Sequence, residues 1–323
     1  DFLRIEDDLQ EMAYLPDELL PLLPTLPDQP QKMTLTPLSS DSAVDTVSSN
    51  SEILDQACIL LAALRFAYPQ SYLSKTTMPS THWSMLEALL QGTGVLDQEK
   101  QPTELARKFL ELPRAQALSW LSSQWQNSSG FHETQFLPGL QIEPGSPVRS
   151  QSARQTIIGL LSLLQADIWY RLDDFIDLVK STEPDFLRHQ EEYFSWTILK
   201  DGNLQEPLSG YESWQQVEGA LITLIVIQML PELALAETAS LKEVPTQSLF
   251  RLKEAFFHPW DSKQSQKEEQ EDTPINLTST GKIVMTDRSS RLARYQISRF
   301  VDWLEVSPAS GTYQITPGSL AKA

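Results

Sequence analysis

The stretch IIGLLSLLQADIWYRLDDFIDLV, residues 157–179, sets the fold class. Ile157, Ile158, Leu160, Leu161, Leu163 and Leu164 predict a helix that is apolar on most sides, as a central helix must be. Trp169 and Tyr170 read as a short strand. The spacing of Leu172, Phe175, Ile176 and Val179 then predicts a second helix, with Asp173, Asp174 and Asp177 outward and an end near Pro184. Downstream, Val217, Leu221, Leu224, Ile225 and Met229 predict a further buried helix over 214–230, and Leu249 to Phe257 an extended segment at the edge of the same unit.

Upstream the same order occurs. Ser49-Asn50-Ser51-Glu52 has capping-box spacing before a helix carrying Ile53, Leu54, Ala57, Cys58, Leu61 and Leu64. Ser80 to Gln91 reads as a short helix stopped by Gly92-Thr93-Gly94, and Val95-Leu96 as a brief strand. Thr103 caps a helix with Leu105, Ala106, Phe109 and Leu110, and Pro113 opens the next, which holds Ala117, Leu121 and Trp125. Such an order is that of a winged helix, although a small helical bundle fits it too. The expected fold is mainly α with small β elements: tandem winged-helix-like domains at 51–145 and 146–260, then a small α/β module at 275–323. An acidic Pro/Ser-rich arm (1–50) precedes them, and a charged linker (261–274) separates the last two. The arm has ten acids, two bases and six prolines between Pro16 and Pro37, a composition for a tether or for lying over another surface. The Glu143-Pro144-Gly145-Ser146-Pro147 segment marks the first domain boundary.

With 25 Lys+Arg against 43 Asp+Glu, the 323-residue chain has a formal net charge of −18, which disfavours a general electrostatic grip on nucleic acid or an anionic membrane. Its single cysteine excludes a disulfide framework and fits the cytoplasm; Cys58 sits on an apolar stripe, where a thiol acts as a small hydrophobe. The longest uncharged apolar run, Gly219 to Pro231, falls short of the ~20 residues a bilayer needs, so no membrane partner is expected. A chain that opens on Asp1 and closes on Ala323 at a helix start reads as a piece of a longer protein.

The search for catalysis is negative. Gly281-Lys282 resembles the end of a phosphate loop, but Asn276 stands where the motif needs its first glycine and Ile283 where it needs Ser/Thr. His82, His132, His189 and His258 lack metal-ligand spacing. The pairs Asp7/Asp8, Asp173/Asp174 and Glu191/Glu192 fit a solvated face better than acid–base work. Neither G-x-S-x-G nor G-x-G-x-x-G occurs. The expectation is a protein that is not an enzyme, with no cofactor, no metal and no small-molecule substrate. Eight tryptophans offer base-stacking surfaces in principle. Around Trp169, however, the interval 167–192 has eight acids and three bases, which favours a core or protein-interface role.

One neighbourhood is basic. Residues 282–299 hold Lys282, Arg288, Arg291, Arg294 and Arg299 against Asp287 alone. A helix over Ser289–Leu304 would place Ala293, Ile297, Phe300 and Leu304 on one face and Arg291, Arg294, Ser298, Asp302 and Glu305 on the other. Cations at its N-terminus and anions at its C-terminus oppose the macrodipole, costing ~0.3–1 kcal/mol per charge. Lys282, Arg288, Arg291 and Arg294 are therefore candidate nucleic-acid contacts, and pairing with the chain's own carboxylates, those of 1–11 among them, is the alternative.

Residues 294–300 (Arg294-Tyr295-Gln296-Ile297-Ser298-Arg299-Phe300) and 313–323, which open Tyr313-Gln314-Ile315-Thr316-Pro317-Gly318-Ser319-Leu320, resemble the helicase-associated module of bacterial proteins related to the N-terminal, non-motor region of XPB-type DNA helicases. Both motifs occur in the family's order. The resemblance covers about 275–323; Trp169 to Phe175 and Trp214 look like the material upstream of that module. It implies tandem winged-helix-like domains in a non-catalytic accessory protein of DNA metabolism, whose partner is DNA or a DNA-processing protein. The competing reading is a protein–protein interaction scaffold that binds no nucleic acid.

Overall fold

The computed structural model describes residues 3–5, 11–13, 35–47, 51–66, 68–74, 76, 80–143, 149–200, 203–258 and 275–321. About half of these are helical, and small antiparallel sheets supply the small β elements expected, so the fold is mixed α/β with a helical share below that of a mainly α chain. The chain divides into two units. In residues 1–34, β1 (Leu3–Ile5) and β2 (Glu11–Ala13) pair antiparallel. Everything below belongs to 35–323.

Strand β3 (Ala43–Val47) precedes α1 (Glu52–Ala63), which is buried from Ile53 to its end. A helix apolar on all sides needs cover all round. Part of that cover comes from α2 (Gln70–Leu73), α3 (Ser80–Gly92) and, after α4 (Glu104–Glu111), from α5 (Arg114–Asn127). Gly94, at φ 77°, ends the α3 turn in the left-handed region. The Thr103 hydroxyl caps α4 by accepting the Leu105 N–H at 3.2 Å. Leu96 pairs with Pro102 as an isolated bridge where a brief strand was expected. At the start of α1, Ser51 makes no side-chain cap; its hydroxyl accepts from Arg114 Nε at 3.0 Å instead. Ser49 and Asn50 lie outside the described residues.

After β4 (Leu140–Ile142) come α6 (Ser150–Leu161), β5 (Trp169–Arg171) and α7 (Leu172–Thr182), with Phe175, Ile176 and Val179 inward as the spacing predicts. Helix α6 stops at Leu161, short of the apolar run that suggested it, and leaves Leu163 78% exposed. Strands β6 (Ile198–Lys200) and β7 (Asn203–Leu208) follow, joined to β4 in the order β4-β6-β7. Helix α8 (Trp214–Thr223) runs through a π-helical stretch, Leu224–Met229, into α9 (Leu230–Glu232). Pro231, with no N–H to return to the ladder, sits at its end.

Strands β8 (Ala236–Leu241) and β9 (Ser248–Leu252) form a hairpin, and α10 (Glu254–Phe257) follows. The sheet order is β3-β8-β9-β5, all antiparallel. The segment expected to be extended to Phe257 at an edge is thus an interior strand that turns helical at Glu254. Residues 35–47 lie along this sheet. The Leu38 N–H bonds the Trp169 carbonyl at 2.9 Å at one edge, β3 pairs β8 at the other, and Leu38 and Ala43 pack on Trp169, Ala239, Leu241 and Leu249.

The C-terminal part contains β10 (Asn276–Leu277), β11 (Lys282–Thr286), α11 (Arg291–Ile297), β12 (Asp302–Val306), β13 (Ser310–Gln314) and α12 (Pro317–Ala321), with sheet order β10-β11-β13-β12. The helix expected over Ser289–Leu304 is corrected: it ends at Ile297, a 3-10 turn covers Ser298–Phe300, and the rest is strand. Val301, Trp303 and Val306 are buried, with a bulge between Trp303 and Glu305 that carries Val306 back to the inner face. One large apolar core runs from Ile53 to Tyr313, across the boundaries expected at 145 and 275, and Trp169, Ala239, Leu241 and Leu249 form a smaller cluster apart from it. The linker 261–274 lies outside the described residues.

Candidate functional site

Helix α11 opens at Ser290, whose hydroxyl accepts the Ala293 N–H at 3.3 Å. Its deepest side chains are arginines: Arg291 is 1% and Arg294 2% exposed. The Arg294 guanidinium donates to the Tyr313 hydroxyl at 3.1 Å, the Pro308 carbonyl at 3.2 Å and the Ser307 carbonyl, and lies 3.9 Å from Asp55. Arg291 donates to the Leu112 carbonyl and sits 5.5 Å from the centre of the Phe109 ring. The Cys58 thiol of α1 donates to the Arg291 carbonyl at 3.3 Å, and Arg65 to the Tyr295 carbonyl at 3.0 Å. Arg114, at the head of α5, pairs with Asp55 and donates to the Asp287 carbonyl at 3.1 Å. These contacts form a clasp that fastens the C-terminal module to α1, α4 and α5.

The electrostatics suit a structural clasp. Burial pushes the Asp55 carboxyl up, and Arg114, then Arg294 and Arg291, pull it part of the way back. Burial also pushes the Cys58 thiol up to about 11, so it stays protonated at neutral pH and is a poor nucleophile.

The expected four-residue basic face is therefore corrected. Arg291 and Arg294 point inward, while Lys282 and Arg288 are exposed near opposite ends of β11. Four residue steps of strand from Lys282 to Thr286 span about 13 Å, so these two cations make no single patch. The error lay in the wheel. A helix of seven residues has no long apolar stripe, and Ala293, Ile297 and Phe300 are only half-buried. The guanidinium stems fill the gap against α1 and α4; the Leu112 carbonyl accepts from Arg291, and the Pro308 and Ser307 carbonyls and the Tyr313 hydroxyl accept from Arg294. The arginines' partners come from Asp55 and loop carbonyls, whereas the side chains of 1–11 lie outside the described residues.

Asp55 carried a signal that went unused: a carboxylate between Leu54 and Ala57 on an otherwise apolar helix demands a buried partner. Two further pairs share that logic. Glu133 and Arg154 are joined at 2.5 Å, with Trp125 Nε1 donating to Glu133 at 3.0 Å. Arg188 and Glu218 form a two-pronged pair at 2.7 Å and 2.7 Å.

His82 and His132 are half-buried, whereas His189 and His258 are exposed. His82 lies 2.9 Å from Gln56 and 3.7 Å from Glu232, and His132 lies 3.1 Å from the Ser150 hydroxyl. No group of three metal-ligating side chains occurs among the described residues. Trp83, Trp125, Trp169, Trp196, Trp214 and Trp303 are buried, and Trp260 lies outside the described residues. No helix of the described residues is long and apolar enough to cross a membrane.

No protein-family model matches this chain, and no curated protein matches it. Its surfaces must speak for themselves. The stretch from α8 to α9 is buried along most of its length and contains no cation between Trp214 and Glu232. The exposed residues of α5 are Ser123 and Asn127, both uncharged. The β8–β9 hairpin turns through exposed Lys242, Glu243 and Val244.

Proposed function

We propose that this chain is a non-catalytic accessory module of DNA metabolism, of the helicase-associated type, whose winged-helix-like units serve as structural and protein-interaction modules. The order α6, β5, α7, α8, β8, β9, with β6 and β7 inserted before α8 and β9 paired to both β5 and β8, supports the winged-helix-like reading. The first unit offers α3, the Leu96 bridge, α4 and α5 in the same order, without a following hairpin of its own. The observation that carries the reading is the burial of α8, the helix which in a DNA-reading winged helix would enter the major groove. With only Gln215 and Gln216 exposed on it and no cation, that helix suits a packing element. The resemblance of 294–300 and 313–323 supplies the link to DNA metabolism.

Titration of duplex and single-stranded DNA over a series of salt concentrations tests the reading. Weak or absent binding at low salt is expected. Exposed Lys282 and Arg288 are the two candidates left for phosphate contact; changing both to Glu should flatten the log–log salt slope of any binding by about 1.4–1.8, from ~0.7–0.9 per contact. Tight duplex binding that survives this double change would overturn the proposal, as would DNA-stimulated ATP turnover lost in Lys282→Ala. A scaffold without nucleic-acid contact is favoured by the inward arginines, and complete absence of DNA binding would select it.

A further inference from the structure

We infer a docking surface for a cationic segment of a partner protein on the two turns 190–194 and 211–213, centred on Phe194 and Tyr211. Phe194 is 80% exposed and Tyr211 46% exposed. Single exposed aromatics are common, but these two stand on adjacent turns. The Gly210 N–H donates to the Tyr193 carbonyl at 2.7 Å, Tyr193 and Tyr211 meet edge to face at 5.4 Å, and a Cβ added to Gly210 would touch the Phe194 ring at 3.4 Å. Gly210 has φ 70°, which a glycine tolerates and which brings the two turns together.

The turns are held in place. Glu192 accepts from the His189 backbone N–H at 2.8 Å and from Arg149 at 2.7 Å, and the Ser213 hydroxyl donates to the Gly210 carbonyl at 2.7 Å. A large ring presented on a pinned turn loses little freedom on binding, which is what makes an aromatic residue a good anchor.

Charge decides the partner. Glu191 precedes Phe194 by three residues in the same 3-10 turn, where side chains at that spacing eclipse, and Glu212 follows Tyr211 directly; both acids are exposed. The Asp185 carboxylate, which accepts the Tyr193 hydroxyl at 3.1 Å, adds to the rim. The nearby cations are already engaged: Arg149 with Glu192, and Lys180 5.5 Å and 5.2 Å from the centres of the Tyr211 and Trp214 rings. Lys180 also demonstrates the chemistry, because a cation already rests on the tyrosine ring. Nucleic-acid bases also stack on aromatics, but their phosphates would meet this acidic rim. Arginine or lysine side chains interleaved with apolar ones match both the rings and the rim.

Fluorescence anisotropy of a labelled peptide of alternating arginine and leucine, titrated with the full chain, tests this. Phe194→Ser with Tyr211→Ser should weaken binding about tenfold or more, the loss of one good anchor. Glu191→Gln with Glu212→Gln should weaken it and reduce its salt dependence. Glu104→Gln with Glu305→Gln removes the same charge elsewhere on the exposed surface and should leave affinity unchanged. Phe194→Ser alone repeats the measurement with the Tyr193–Tyr211 contact intact. Equal affinity in every variant would reduce the effect to overall charge and overturn the assignment. So would no binding by the unaltered chain, tighter binding of oligothymidine than of the peptide, or a concentration-dependent dimer abolished by Phe194→Ser, which would make the occupant a second copy.

Discussion

Arg294 and Arg288 are six residues apart and should respond oppositely to truncation. Replacing Arg294 by Ala deletes a donor to Tyr313, Pro308 and Ser307 and leaves Asp55 with one fewer cation in a buried site. We expect a loss of about 3–5 kcal/mol in urea unfolding, the usual range for breaking a buried ionic contact. Arg288→Ala, on the surface, should stay within about 0.5 kcal/mol. Reversing Arg291 and Arg294 to Glu should prevent folding. A stable double variant, seen by circular dichroism, would show that the clasp does not hold the module. Glu232 gives a second residue-scale expectation. Burial pushes its carboxyl up to about 7, with Gln228 pulling the other way, and burial holds His82 below its ordinary value, so the two meet at 3.7 Å without a strong ion pair. A carboxyl raised in the folded state binds more protons there than when unfolded, so its contribution is greatest below the unfolded value near 4.5 and falls as pH rises to about 7. The urea midpoint of Glu232→Gln should therefore gain on that of the unaltered chain between pH 5 and 7.5; parallel pH profiles would refute the burial argument.

At the scale of elements, the cross-sheet cover by residues 35–47 and the hairpin around Gly311 make distinct predictions. Ala43→Asp places a carboxylate against Trp169 and Leu249 and should cost about 1–3 kcal/mol. Hydrogen exchange should then speed up over 43–47 and 236–241 before it does in α8. A Cβ at Gly311 would lie 2.5 Å from the Tyr313 hydroxyl, so Gly311→Ala must displace the ring that receives Arg294. Its loss in unfolding experiments should overlap that of Arg294→Ala, because both loosen one contact, and strict additivity in the double variant would separate them. The same elements show what the sequence made legible. Residues 172–182 had the 3.6-residue period and acids on the outer side, and α7 follows them. Strands of three to six residues such as β4, β6 and β8 give too few alternations to stand out from loops. Helix α11 misled because a charged side chain counts as outward in any pattern argument, whereas the stem of an arginine packs as an apolar group once carbonyls meet its donors. Phe194 and Tyr211 belong to no periodic pattern, and only the fold reveals that two separate turns bring them together.

For the whole molecule, the continuous core from Ile53 to Tyr313 predicts that the C-terminal module folds in one cooperative unit with the helices it packs on. Deleting residues 275–323 should uncover α1 and expose Cys58, so that the thiol reacts with an aromatic disulfide reagent at a rate typical of an accessible cysteine. The unaltered chain should resist the reagent until it unfolds. An unreactive thiol in the shortened chain would mean that α1 is covered by other elements. The clasp also bears on synthesis. Cys58 bonds to a carbonyl 233 positions later, and Arg65 to one 230 positions later. At ~5–20 residues per second, a ribosome needs roughly 10–50 s to travel that distance. Throughout that interval α1, buried from Ile53 to its end in the folded chain, has emerged without the segment that covers one of its sides. Its cover on that side is completed only when residues 291–295 emerge and accept the Cys58 and Arg65 donors.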